Sequence, residues 1–117
     1  MISVAAKIKK TSKDKKLALA AQLPSSVSIF GREIKVLVTT LKGLHGDFTA
    51  DTNTIRIHQT SDIYAARATL FHEAIHAALT ISGQNEMMKE DQEEGLVRCL
   101  EHAFMHIVDI DKLALDK

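Results

Sequence analysis

Residues 61–83 read SDIYAARATLFHEAIHAALTISG, and the folding of this stretch decides the rest of the chain. Nearly every position favours a helix, Ser61 is a good N-cap with Asp62 in the first turn, and Gly83 stands where a helix stops. The predicted helix covers Asp62 to Ser82. Its apolar residues, Ile63, Ala66, Leu70, Phe71, Ala74, Ile75, Ala78 and Leu79, run all the way round, the pattern of a helix buried on every face. Set into it are His72, Glu73 and His76. Positions i and i+4 of a helix project side by side, one turn apart. Two imidazoles so placed can bind one Zn²⁺ at about 2.0–2.1 Å. Glu73 then stands beside the remaining coordination position, where it could take a proton from a metal-bound water and pass it to a leaving amine.

A chain of this composition produces the bare H-E-x-x-H pattern roughly 0.02 times by chance. Burial is the stronger reason. Unsatisfied polar side chains in a dry helix cost about 1–3 kcal/mol each, and a divalent cation satisfies them directly. The competing account is that backbone carbonyls and the three side chains satisfy one another. A third protein ligand is needed. The metzincin arrangement is excluded, because Leu79 and Ser82 occupy the positions of its glycine and third histidine. The acidic pair Glu93–Glu94 opens the next helix, 17 and 18 residues after His76. A turn back and an antiparallel return would bring its first turn over the metal. Both residues keep helical spacing to Val97 and Leu100, so spacing alone leaves Glu93 and Glu94 open, with His102 as a further candidate ligand. A capping box of Asp91 with Glu94 is the plainer use of these acids.

Upstream, residues 26–41 predict a strand pair, with a turn at Gly31–Arg32 and Ile34, Val36 and Val38 alternating with polar neighbours. Residues 42–46 (KGLHG) form a loop. Asp47–Ala50 and Thr54–His58 flank the turn-forming Asp51–Thr52–Asn53, which predicts a second hairpin. Ile55 and Ile57 share one face, Arg56 and His58 the other. The sheet has three or four strands, antiparallel or mixed. Downstream, 84–90 is a polar connection and a last helix spans Asp91 to Val108 with a stripe of Leu96, Val97, Leu100, Phe104 and Ile107. The expected fold is α+β, a small sheet packed on the H-E-x-x-H helix and a C-terminal glutamate helix.

Composition narrows the setting. The chain has 117 residues, no Trp, one Pro, 45% hydrophobic and 26% charged residues, which suits one small domain with an aliphatic core. Basic and acidic residues cancel at 15 each, but 1–16 carries +5 and the remainder −5. Residues 1–23 therefore read as a basic arm, helical in part over Leu17–Leu23, and 24–117 as the folded domain. The arm is a solvated tail or a nucleic-acid contact. No apolar run is long enough for a membrane span, and the lysines are not followed by an apolar signal segment. The single cysteine, Cys99, excludes a disulfide framework and a cysteine-based zinc knuckle, reads as a small buried hydrophobe, and suits a cytoplasmic setting. Met87, Met88 and Met105 read as gap-fillers.

Gly46-Asp47-Phe48, Thr54-Ile55-Arg56-Ile57-His58, the segment Ala68 to Ala77 and Glu94-Gly95-Leu96-Val97 together resemble the minimal gluzincin zinc metallopeptidases. These are the minigluzincins, the ImmA/IrrE-type domains and small phage-encoded zincin-like proteins. The similarity spans about residues 33–108, and the pentapeptide His72–His76 is its specific part. The resemblance implies a zincin-like fold, Zn²⁺ held by His72, His76 and Glu94, Glu73 as general base, and a peptide or protein substrate in the cytoplasm, or in a host's cytoplasm for a phage protein. It also implies that the edge of Thr54–His58 aligns the substrate. Tyr64, His58, His102 and His106 are the candidates for steadying the oxyanion. A chain this short builds a shallow cleft, so weak or selective cleavage is expected. The alternative is a zincin-fold binding or regulatory module in which zinc is structural.

Overall fold

The computed structural model describes residues 21–105. The expected basic arm, most of Leu17–Leu23, and His106, Ile107 and Val108 lie outside the described residues. Four strands come first: β1 (Ser26–Ile29), β2 (Arg32–Thr39), β3 (Gly46–Thr49) and β4 (Thr54–His58). Two helices follow, α1 (Ile63–Ile81) and α2 (Glu90–Phe104). Single 3-10 turns at Ala50–Thr52 and Gln84–Met87 link β3 to β4 and α1 to α2.

Both predicted hairpins form. In the first, Phe30 and Gly31 take positive φ values of 52° and 75°, the two-residue turn whose twist matches paired strands, and Arg32 already pairs with Ile29. The turn thus sits one residue earlier than Gly31–Arg32. Asn53, at φ 48°, closes the turn before β4. What joins the hairpins is a parallel ladder between β2 and β4, from Lys35 opposite Thr54 to Thr39 opposite His58. The sheet is mixed, in the order β1-β2-β4-β3. This corrects one expectation: Thr54–His58 is an interior strand whose main chain is paired on both sides, and the edges are β1 and β3.

Alternation along β2 and β4 puts Ile34, Val36, Ile55 and Ile57 on the face that meets Ala66 and Leu70 of α1, with Leu23 completing the core. Ile34, Ile55, Ile57 and Leu70 are fully buried. Outward residues such as Leu37 stay exposed, so the sheet is covered on one face.

Asp62, not Ser61, caps α1. Its carboxylate accepts from Tyr64 N and Ala65 N at 3.0 and 3.2 Å. Gly83, at φ 81°, ends the helix as expected. The expectation of burial on every face does not hold. One stripe, Ala66, Leu70, Glu73 and Ala77, is buried, Tyr64 (76%) and Ala65 are exposed, and the remainder is half-buried. A helix lying on a single sheet with one helical neighbour has two covered flanks, and its many alanines leave little to bury on the third. On α2, Gln92 Oε1 accepts from Lys89 N at 2.9 Å, so the cap does not use Asp91 with Glu94. Val97 is buried, but Phe104 is 45% exposed and Cys99 is exposed, contrary to the expected stripe and buried thiol. Met87 is also exposed and fills no gap.

Candidate metal centre

Spacing along α1 brings His72 and His76 together, with ring centroids 5.0 Å apart. Helix α2 returns antiparallel, so His76 meets its start and His72 its later turns. His76 Nδ1 lies 2.6 Å from Glu93 Oε2, and His72 Nδ1 lies 2.8 Å from Glu101 Oε1. The opposite ring atoms converge on one carboxylate. His76 Nε2 is 3.0 Å from Glu94 Oε1 and His72 Nε2 is 3.4 Å from Glu94 Oε2.

This bracketing poses a chemical question. A neutral imidazole has one N–H and one bare nitrogen. With Nδ1–H donated to Glu93 or Glu101, each Nε2 presents a lone pair to the anionic oxygens of Glu94. Such an arrangement needs a proton between each Nε2 and Glu94, carried by a ring or by the carboxyl, or a cation between the two Nε2 atoms and Glu94. The donor atoms of His72, His76 and Glu94 all lie within 4.8 Å of one another, so the group could hold a metal ion. Two ligands bound at 2.0–2.1 Å to a tetrahedral zinc stand about 3.3–3.4 Å apart. The observed 3.0 and 3.4 Å fall close to that spacing.

Charge around the centre follows burial and pairing. Glu73 is 9% exposed, and burial above all pushes its carboxyl to a higher pKa, only partly offset by His76 and His72. Burial also pulls His76 down, but its hydrogen bonds to Glu93 and Glu94 and the charges of Glu73 and Glu93 outweigh this and leave it raised. Burial raises Glu94, yet the hydrogen bonds from Arg98 and His76 prevail and hold it below the ordinary range. Arg98 Nε donates to Glu94 Oε2 at 2.9 Å.

The centre lies where two clefts meet, of about 550 and 470 Å³, which share Gly46, Glu73, His76 and Glu94. A Cβ on Gly46 would stand 2.6 Å from Thr69 Cγ2, 2.7 Å from Arg56 O and 3.5 Å from Glu73 Cγ. Glycine therefore lets edge strand β3 begin directly against α1 beside Glu73.

The sequence-derived residues separate cleanly. His72, His76 and Glu94 come together with Glu73 alongside, while Glu93 turns to the far nitrogen of His76. His102 lines the larger cleft, but its Nδ1 faces Arg98 O at 2.8 Å rather than the ring pair. Tyr64 is exposed and lines neither cleft. His58 Nδ1 accepts from Leu41 N at 2.9 Å and lines neither cleft, so its visible part is to hold the loop before β3. Glu101, Arg98 and Gly46 were not foreseen as site residues. Glu101 stands seven residues after Glu94, two turns along the same face, which is the signal that could have found it.

Protein-family models, curated proteins and solved structures give no match to this chain. Among the described residues no helix is long and apolar enough to cross a membrane.

Proposed function

We propose that this chain is a zinc-dependent peptidase of the zincin type. One observation carries the reading: both histidines engage a carboxylate through Nδ1 and turn Nε2 toward the same Glu94. A single cation between those atoms accounts for all four contacts without two imidazolium rings side by side. His72, His76 and Glu94 would hold the ion, while Glu101 and Glu93 fix the ring orientations. Zinc there would supply Lewis acidity toward a peptide carbonyl and toward water. Glu73, kept by burial nearer to neutral pH than an ordinary carboxylate, accepts the proton of the attacking water and returns it to the departing amine. Among the described residues β3 pairs with β4 alone, so its other edge, beside Glu73, is suited to aligning an extended peptide. His102 gives its Nδ1–H to the Arg98 carbonyl, so its Nε2 donates to an oxyanion only as imidazolium. The exposed lone cysteine suits a reducing compartment such as the cytoplasm.

A second reading, a zincin-fold binding or regulatory module with structural zinc, draws on one observation. On α2, Val97 is the only fully buried residue among those described, so an ion bridging the helices would contribute strongly to holding them together. The Glu73→Gln variant separates the two. Zinc-loaded wild type is incubated with a peptide library and products are read by mass spectrometry. Cleavage is expected to fall by about 10²–10⁴-fold in the variant with zinc content unchanged. Wild type that cuts nothing, or a variant that cuts equally well, overturns the peptidase.

A further inference from the structure

The two clefts differ in charge. The larger one, bounded by the 43–46 loop and the later turns of α2, contains Arg98, His45 and His102. Besides Glu73 and Glu94, which it shares with the smaller cleft, its carboxylate is Glu101, engaged by His72. The smaller one, bounded by β3 and the start of α2, contains Glu90, while its Glu93 is engaged by His76 and its Asp47 is paired with Arg56. Among the described residues Arg98 is the one Lys or Arg side chain lining either cleft, and it is 68% exposed. Its Nε–H is committed to Glu94, which leaves the four Nη–H donors of the planar fork. A carboxylate is the partner that this geometry fits best, and it can be held by two parallel bonds.

Strand direction gives the polarity. β3 runs from Gly46, which borders the larger cleft, to Phe48, which lines the smaller one. An antiparallel partner, the somewhat more stable pairing, runs the other way, so its C-terminal half lies on the Arg98 side. We propose that Arg98, flanked by His45 and His102, binds a substrate carboxylate on the C-terminal side of the cleaved bond, selecting peptides with Asp, Glu or the chain terminus there. The inference rests on the peptidase reading for the word substrate, but its binding half can be tested without turnover.

The experiment uses one peptide in Glu, Gln and Arg versions at the position following the cleaved bond, each with a free and an amidated C-terminus. Cleavage by wild type is measured beside calorimetric binding to zinc-loaded Glu73→Gln protein. Carboxylate-bearing peptides are expected to be favoured about 10- to 100-fold over neutral ones. Arg98→Glu should shift the preference to the Arg peptide. Arg98→Gln should lose the preference when compared with wild type at equal zinc loading. A preference abolished by amidation assigns the carboxylate to the chain end, and one that persists assigns it to the side chain. Equal binding of all peptides, or an unchanged preference in Arg98→Glu, overturns the inference and leaves the peptidase standing if cleavage is Glu73-dependent. Selective binding without any cleavage overturns the peptidase and leaves carboxylate recognition standing. Absence of both overturns both.

Discussion

Helix α1 buries Ala66, Leu70, Glu73 and Ala77 in a continuous stripe, whereas α2 buries Val97 and leaves Phe104 half-exposed. Yet the two helices contribute equally to the centre. From α1 come the two rings and the buried Glu73 carboxyl. From α2 come the shared carboxylate and the two that orient the rings. The difference teaches where each half of the centre gets its position. On α1 it comes from apolar burial against the sheet, which requires no ion. On α2 it comes from polar pairs across the helix interface, which are strong only when every partner is satisfied.

Four measurements break or sharpen that contrast. The largest effect is expected from Glu94→Ala, which removes the group that both Nε2 atoms face. Metal analysis should find stoichiometric zinc lost, and hydrogen exchange should find α2 loosened while α1 stays protected. If Glu94→Ala kept its zinc and Glu93→Ala lost it, the third ligand would be Glu93. Next comes Leu70→Ala, with a predicted loss of about 2–5 kcal/mol in denaturant unfolding, because Leu70 is fully buried between α1 and the sheet. A loss under 1 kcal/mol would mean that α1 is not anchored by burial. Smaller again are Glu101→Gln and Glu93→Gln. Each retains an oxygen for the imidazole N–H but weakens ring orientation, and about 10- to 100-fold lower zinc affinity is expected by competition with a chelator. Equal affinity would reduce them to ordinary surface ion pairs. The smallest effect belongs to Tyr64→Ala, on the exposed side of α1. Stability should stay within about 0.5 kcal/mol and cleavage should be unchanged. A large loss of rate would return Tyr64 to the chemistry.

Much of this was visible in the chain, and the failures share a cause. Both hairpins, the Gly83 stop and the convergence of His72 with His76 follow from neighbours within a few residues. The errors arise where distant parts meet. The alternation of Thr54–His58 says nothing about what lies on either side, and β2 and β3 together take both of its edges. Phe104 falls on the predicted stripe of α2 and Cys99 beside it, but spacing marks a face without saying how far a partner covers it. Ser61 lost the cap to Asp62 because two adjacent residues both suit the position.

By itself the sequence determined the local geometry: two imidazoles one turn apart, a glutamate beside them, glycine where backbone must approach or turn. Helical and strand periods are properties of short segments, so they can be read without the rest of the chain. Only the tertiary structure decided that Glu94 faces both Nε2 atoms, that Glu93 and Glu101 take the Nδ1 sides, and that β3 is the strand left open beside Glu73. Those choices depend on how α2 is rotated and registered against α1 and on which strands pair, and both are set by packing between residues far apart in the chain.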